Sequence, residues 1–205
     1  MPVIGVLALQ GDFVEHISML DTLKVNSKEI RSKNPFKNID GLIIPGGEST
    51  SIMRLIEIFD LKSEIISCAK KGMPIWGTCA GMIIVSQNII HNESQDKVHK
   101  YNPLNLIDID VNRNAFGRQI DSFEHDIDVE GLNDPYHSIF IRAPQVSRVG
   151  KNVEILASIN KTKPVILKQD NILVSSFHPE LTNDNRIHNL FMQMVLRSKN
   201  QCQKI

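Results

Sequence analysis

The fold is decided by residues 75–84, which read Ile75-Trp76-Gly77-Thr78-Cys79-Ala80-Gly81-Met82-Ile83-Ile84. An apolar run leads into a cysteine that stands between two glycines, and a second apolar run follows. This pattern predicts a strand, a sharp turn and a helix, with Cys79 at the turn. The neighbours of Cys79 are small because backbone must approach closely in such a turn. The stretch therefore predicts a nucleophile elbow, which presents a reactive atom above the edge of a sheet.

Cys79 also has an ordinary interpretation, because a free cysteine is more often a small core residue. The elbow reverses that preference, since unpaired amides and the dipole at a helix start favour the thiolate. Cys68 lies in a predicted helix and Cys202 in a tail, so neither has a comparable setting. Three cysteines do not form an even set of disulfides, and we expect free thiols in a reducing, cytoplasmic compartment.

Outward from the elbow, apolar runs bounded by Gly and Pro alternate with helical patterns. This alternation predicts an α/β fold, three-layered and flavodoxin-like, with a mixed, mostly parallel sheet and helices on both faces. A length of 205 residues without an internal repeat or a linker predicts a single domain over 1–205.

The individual elements follow from the same patterns. In the first half we expect strands at 3–9, near 28–30, at 41–44 and at 74–77. Helices are expected at 13–24, after a cap at Ser49 or Thr50, at about 62–71 and at 80–90. In the second half we expect a polar loop at 91–103, strands at about 106–111, 123–129, 137–142, 153–159, 164–168 and 172–177, and a helix at 184–198.

The charge balance argues against nucleic acid and membrane as partners. Lysines plus arginines number 23, as do aspartates plus glutamates, so no basic excess attracts a polyanion. The apolar N-terminus lacks a basic leader and predicts a buried first strand rather than a signal peptide. No apolar stretch approaches the roughly 20 residues of a membrane-spanning helix.

A second polar motif ends another strand. Residues 172–180 read Ile-Leu-Val-Ser-Ser-Phe-His-Pro-Glu, and Pro179 places His178 and Glu180 at the exit of the strand. If this strand is parallel to the one before Cys79, all three groups meet at one edge of the sheet. A cysteine, a histidine base and a carboxylate that orients it form a nucleophilic triad. Alone, His-x-Glu is a weak signal that surface or capping roles also explain.

A glycine turn follows the strand at 41–44 and reads Pro45-Gly46-Gly47-Glu48-Ser49-Thr50. Its amides are candidates for an oxyanion hole, with the amide of Ala80 as a second donor. An ordinary turn before a helix cap is the alternative, and no Gly-Lys-Ser/Thr ending supports a phosphate loop. The other six histidines have no comparable context: His16, His91, His99, His125, His137 and His188. We expect no metal site and no cofactor, since no cluster has zinc-ligand spacing.

These segments together resemble class I, triad-type glutamine amidotransferases, and most closely the glutaminase subunits of pyridoxal 5′-phosphate synthases. The resemblance extends over nearly the whole chain. It includes Gly5 to Gly11 with Glu15-His16, Leu42 to Thr50, Arg113-Asn114-Ala115-Phe116-Gly117-Arg118-Gln119, Phe140-Ile141-Arg142-Ala143-Pro144 and Ser176 to Thr182. The polar loop at 91–103 is longer than is usual in that family.

The resemblance implies hydrolysis of L-glutamine to glutamate and ammonia through a thioester on Cys79, with His178 and Glu180 as its triad partners. It places the substrate at Gly46, Gly47, Glu48, Ser49, Ala80, Arg113, Ile141 and Arg142. Arg113 or Arg142 is suited to the α-carboxylate and Glu48 to the ammonium group, although an arginine there is also compatible with a surface ion pair. The implied partner is a (β/α)8-barrel synthase subunit that receives the ammonia.

Two other functions stay open from the sequence. An amidotransferase with a different acceptor has the same motifs, and it would copurify with a different synthase. A non-catalytic docking subunit would keep the fold and lose the chemistry, which the intact triad disfavours.

Overall fold

The computed structural model of the chain describes residues 1–90, 101–113 and 122–202. Its strands are β1 (Val3–Leu7), β2 (Asn26–Ile30), β3 (Gly41–Ile44), β4 (Ile75–Thr78), β5 (Asn88–Ile90), β6 (Ile109–Asn112), β7 (Ser122–Ile127), β8 (Tyr136–Ile141), β9 (Gln145–Val149), β10 (Glu154–Ile159), β11 (Lys163–Gln169) and β12 (Ile172–Ser175). Its α-helices are α1 (Phe13–Thr22), α2 (Ser49–Ile58), α3 (Lys62–Lys70), α4 (Ala80–Val85) and α5 (Arg186–Cys202). Short 3-10 turns lie at Asn34–Asn38 and Pro179–Leu181.

β4 lies inside a sheet that, over the described residues, has seven strands in the order β10-β11-β12-β4-β3-β1-β2. The strands from β12 to β2 run parallel, whereas β10 and β11 add antiparallel pairing at one edge. The predicted mixed, mostly parallel sheet is confirmed. Thr78 at the end of β4 pairs with Ser175 at the end of β12. The segments that carry Cys79 and His178 therefore leave neighbouring strands at the same edge.

The central strands are buried on both faces, since every residue of β3, β4 and β12 is buried. Burial on both faces explains why these strands are continuous apolar runs and do not alternate with polar residues. Helices α2, α3 and α4 pack on one face with β6 and β9. Helices α1 and α5 pack on the other face with β7 and β8. The expected helices on both faces of the sheet are confirmed.

Two elements differ from expectation, one in each half of the chain. The helix predicted at 80–90 ends at Val85, and Asn88–Ile90 forms β5, which pairs in parallel with β6. A short apolar run carries no clear period, and the hydroxyl of Ser86 donates to the carbonyl of Ile83 where the helix stops. Gln145–Val149 forms β9, antiparallel to β6, although its mixed polar sequence gave no strong strand signal.

Other boundaries shift by a few residues. β1 ends at Leu7 and not at residue 9, and the last helix runs from Arg186 to Cys202 rather than over 184–198. β7 ends at Ile127, and Val129 makes only an isolated bridge to Ala157. Of the predicted loop, 91–100 lies outside the described residues, as do the motif residues 114–121. None of the described helices is both long and apolar enough to span a bilayer.

Candidate active site

Cys79 occupies the predicted elbow between β4 and α4. Its backbone has φ 47° and ψ −103°, a conformation that a residue with a side chain rarely adopts and that costs about 1–3 kcal/mol. The turn is anchored to β12, because the Cys79 amide donates to the carbonyl of Ser175 at 2.8 Å. The side chain is almost fully buried. The strained backbone is the signature of a nucleophile elbow.

Gly81 allows α4 to pass directly over β3. A Cβ atom on Gly81 would lie 2.0 Å from the carbonyl oxygen of Ile44, whereas a Cβ on Gly72 would meet no atom within 4 Å. We expect Gly81→Ala to lower the free energy of unfolding by about 3 kcal/mol, since backbone on both sides must move. Gly72→Ala is the matched control and should cost about 1 kcal/mol for its left-handed backbone. Urea denaturation measures both, and equal losses would contradict the close approach.

His178 and Glu180 follow β12 and lie beside Cys79. The Nδ1 atom of His178 is 2.7 Å from Oε1 of Glu180, and both side chains are buried. Nδ1 is thus engaged with Glu180, which leaves Nε2 as the ring nitrogen that can interact with Cys79. The Cys-His-Glu order expected from the sequence is therefore assembled in space. This arrangement suits a nucleophile, a base and a group that orients the base.

The electrostatics of the three groups favour a charged imidazole. Burial lowers the pKa of His178, but hydrogen bonds to Asp12, Cys79 and Glu180 outweigh burial and raise that pKa to about 12. Burial raises the pKa of Glu180, against the opposing effect of His178. The 2.7 Å contact has the length of a charge-assisted hydrogen bond, which supports an ionised pair.

A second carboxylate beside His178, that of Asp12, was not indicated by the sequence motifs. Its Oδ2 atom lies 3.4 Å from Nδ1 of His178. Within the described part of the chain, Asp12, His178 and Glu180 are the one cluster with the composition of a metal site, with ligand atoms within 4.8 Å of one another. A metal ion needs the lone pair of Nδ1, whereas the bond to Glu180 needs a proton there. We therefore assign His178 and Glu180 to the triad, with the carboxylate of Asp12 beside them.

The triad opens into a cleft of about 380 Å³. This volume is near the lower end of ligand pockets, about 300–1,000 Å³, and suits a small amino acid. Most of the predicted substrate residues line it: Gly47, Glu48, Ser49, Ala80, Arg113, Ile141 and Arg142. Gly46 does not line the cleft. It lies against the ring of His178, where a Cβ atom on Gly46 would be 2.5 Å from Cε1. Five lining residues were not predicted: Gln10, Gly11, Asp12, Ile83 and Leu181.

Glu48, and not Ser49 or Thr50, caps α2, so the predicted cap is wrong. The Glu48 carboxylate accepts the amide hydrogens of Thr50 at 3.0 Å and Ser51 at 2.7 Å. A longer side chain reaches these orphan amides from outside the helix. Arg113 forms an ion pair with Glu48 and donates to the Thr50 hydroxyl at 2.8 Å. The ion pair thus fixes the side chains of Glu48 and Arg113 beside the cleft.

The cap makes stability depend on pH. Burial alone raises the pKa of Glu48, but hydrogen bonds from Ser51 and Thr50 and the charge of Arg113 lower it from 4.5 to about 2. A lowered carboxyl pKa contributes stability that is present above 4.5 and is lost as pH falls towards 2. We expect Glu48→Gln to destabilise the protein by about 1 kcal/mol at neutral pH, an effect reduced by solvent screening. Thermal unfolding of the wild type and of Glu48→Gln at several pH values measures this effect, with the exposed Glu130→Gln as the control. The difference in stability between the wild type and Glu48→Gln should shrink at acid pH. A difference that grew at acid pH would contradict the cap.

The oxyanion side of the cleft comes from two turns. The first amides of a helix have no partner within it, so the amide of Ala80 is available to a substrate oxygen. On the opposite side, Gly47 has φ 141°. The neighbouring Glu48 amide donates to Oε1 of Gln10 at 2.9 Å. A Cβ on Gly11 would lie 1.8 Å from the carbonyl oxygen of Gly46, so the two loops touch through backbone.

Ile141 and Arg142 close the cleft at the end of β8. The thiol of Cys79 lies 3.9 Å from the carbonyl oxygen of Ile141. Arg142 has φ 44°, so its backbone is also in the left-handed region. Strained backbone at residues that line a cleft is typical of binding sites.

His16 and His188, which had no sequence context comparable to that of His178, lie close to the triad in the structure. Both side chains are fully buried, and they lie behind the triad. Nε2 of His16 is 3.4 Å from Oε2 of Glu180, and Nδ1 of His16 is 2.9 Å from Nε2 of His188. Their sequence positions gave no signal, because the two histidines are 172 residues apart.

A cysteine in a strained elbow, with a buried histidine and glutamate just after the adjacent parallel strand, defines a cysteine-nucleophile enzyme of the α/β class. Residues 6–197 match the SNO glutamine amidotransferase family. The chain belongs to this family.

Similar proteins agree with the family. A pyridoxal 5′-phosphate synthase subunit PdxT of Thermosipho africanus is 48% identical over 192 residues, which cover 94% of this chain and 98% of that protein. The PdxT of a Dehalococcoides mccartyi strain is 50% identical, covering 94% and 96%. A solved structure described as a glutamine amidotransferase superposes with a TM-score of 0.86 at 42% identity, covering 94% and 98%.

Proposed function

We propose that the chain is the glutaminase subunit of a pyridoxal 5′-phosphate synthase, with residues 1–205 acting as a single cytoplasmic domain. It hydrolyses L-glutamine to L-glutamate and ammonia. Support comes from the family and from two pyridoxal 5′-phosphate synthase subunits PdxT, which are 48% and 50% identical to this chain. The observation that carries the proposal is the alignment of Cys79, His178 and Glu180 at the mouth of an amino-acid-sized cleft.

The first half of the reaction acylates the enzyme. His178 holds the proton of Cys79, and the thiolate attacks the side-chain carboxamide carbon of glutamine. The amides near Gly47 and Ala80 stabilise the oxygen as it becomes negative. As the carbon–nitrogen bond breaks, His178 gives its proton to the leaving group, and ammonia departs. A γ-glutamyl thioester on Cys79 remains.

The second half regenerates the enzyme. His178 takes a proton from water, and the resulting hydroxide attacks the thioester carbon. The carbon–sulfur bond breaks, glutamate leaves, and the thiolate pairs again with the imidazolium. Glu180 stays charged throughout and keeps Nδ1 of His178 protonated.

The cleft residues recognise the backbone groups of the substrate. Gly47, Ser49 and Ile141 shape the wall around the side chain of glutamine, and Gly46 lies behind them against the ring of His178. Arg142 is the better partner for the α-carboxylate, because Arg113 already engages Glu48. Glu48 is placed to attract the α-ammonium group, with Arg113 setting its orientation.

The ammonia passes to a synthase subunit, which we propose is a (β/α)8 barrel. The free chain should be a weak glutaminase, since Gln10 contacts the Glu48 amide next to the oxyanion turn and docking can rearrange that loop. Ammonia release from glutamine, with and without such a synthase subunit, tests the proposal. Release that rises on addition of the subunit is expected, and no release in either sample would overturn it.

A further inference from the structure

Two buried histidines continue the triad into the core. His16 lies on α1 and His188 on α5, and neither side chain is exposed to solvent. Nε2 of His16 lies 3.1 Å from the hydroxyl of Thr78 as well as 3.4 Å from Oε2 of Glu180. The contacts thus run from α5 through α1 to the far side of the catalytic carboxylate.

Two atoms of this chain of contacts are buried without a hydrogen bond to any described residue: Oε2 of Glu180 and Nδ1 of His188. Oε1 of Glu180 is already taken by His178. The Nε2 atom of His16 is therefore the group best placed to satisfy Oε2. A carboxylate held at both oxygens cannot rotate away from the imidazole that it orients.

The two unpaired atoms indicate which ring nitrogen carries the proton in His16 and in His188. If His16 carried its proton on Nδ1, His188 would carry its own on Nδ1, a buried N–H without an acceptor. In addition, the lone pair on Nε2 of His16 would face the lone pairs of Glu180. With both protons on Nε2, His188 donates to His16, and Nε2–H of His16 lies between Oγ1 of Thr78 at 3.1 Å and Oε2 of Glu180 at 3.4 Å, so neither ring leaves a buried donor without an acceptor. A buried acceptor without a donor is tolerated better than a buried donor without an acceptor.

Both rings are neutral, which suits a carboxylate that must keep its charge for His178. Burial lowers the pKa of His16 well below 6.5, and its neighbours His188 and His178 lower it further. Burial lowers the pKa of His188 to about 3. A neutral N–H dipole orients Glu180, whereas a second imidazolium would compete with His178 for it.

We infer that His16 is a positioning residue of the glutaminase reaction: its Nε2–H, set in that tautomer by Nε2–H of His188, holds the second oxygen of Glu180. This inference rests on the proposed function for its kinetic consequence. The tautomers themselves are independent of any activity. Neither histidine lines the cleft, so the effect reaches the substrate only through Glu180 and His178.

The kinetic test replaces His16 in the full chain, assayed with the synthase subunit. His16→Leu removes the donor, and kcat for ammonia release should fall about 10- to 100-fold with KM for glutamine unchanged. His16→Gln restores an N–H near the position of Nε2 and should recover most of kcat. His137→Leu, at an exposed position of β8, is the matched control and should leave kcat unchanged. Wild-type kcat in folded His16→Leu, or equal losses in the Leu and Gln variants, would overturn the inference.

The second test reads the tautomers directly in the wild-type chain. Long-range ¹⁵N–¹H correlation spectra at neutral pH distinguish Nε2–H from Nδ1–H rings, and the His16→Gln and His188→Gln spectra assign the two signals. Both rings should be neutral Nε2–H tautomers. A proton on Nδ1 of His16 refutes the inference, even if His16→Leu does not fold. If the wild-type chain released no ammonia, the proposed function would fail, whereas this measurement would still decide which nitrogen of His16 carries the proton next to Glu180.

Discussion

Replacement of Cys79 by alanine is expected to abolish ammonia release, lowering kcat by on the order of 10⁴-fold or more. No other group can form the thioester, because the elbow aims this one side chain between His178 and the oxyanion amides. Alanine keeps the turn, since a Cβ is already accommodated at the positive φ of Cys79. Thermal stability should therefore be close to that of the wild type.

Cys68→Ala is the matched control for this loss. Cys68 is half-buried on α3, and burial raises the pKa of its thiol, so it stays an unreactive thiol. Coupled measurement of glutamate and ammonia should show wild-type turnover for Cys68→Ala and none for Cys79→Ala. Ammonia production by a folded Cys79→Ala protein would place the chemistry elsewhere.

Replacement of His178 by asparagine should cause a loss of similar size, on the order of 10⁴-fold in kcat. The asparagine amide can still donate to Glu180. It can neither accept the proton of Cys79 as a base nor donate that proton to the leaving group as an acid. Release of ammonia from glutamine by the wild-type and variant complexes measures the loss, and wild-type turnover in a folded His178→Asn complex would contradict the role of His178.

The same variant has a predictable effect on stability. The pKa of His178 is raised from 6.5 to about 12, so the charged pair contributes stability that is complete below 6.5 and is lost as pH rises towards 12. His178→Asn should therefore be less stable than the wild type at neutral pH, with a difference that narrows in alkali. His137→Asn, on the exposed β7–β8 hairpin, serves as the control. A difference that widened in alkali would contradict the ion pair.

The parts of the site that follow neighbouring parallel strands were predictable from sequence. Cys79 ends β4 and His178 follows β12, and the turn chemistry of each segment is local. Glu180 is two residues beyond its partner, so its contact is also local. The glycine turn after β3 was predictable for the same reason.

The groups that only tertiary packing brings together were not predictable. Gln10 reaches the Glu48 amide across 38 residues, and His16 contacts His188 across 172. No spacing rule links such pairs, and a buried histidine looks in sequence like any other. The cap of α2 was missed for a different reason, because Glu48 acts through a long side chain where shorter ones are usual. The strand β5 was missed because three residues are too few to show a period.

The central claim is that Cys79 is the nucleophile towards the side-chain amide of glutamine. It is tested most directly by treating the wild-type complex with a glutamine analogue that carries an electrophilic side chain, followed by mass spectrometry of the intact chain and its peptides. We predict one adduct per chain, on Cys79, that glutamine suppresses and that His178→Asn slows. An adduct on Cys68, or no adduct on a folded complex, would contradict the claim.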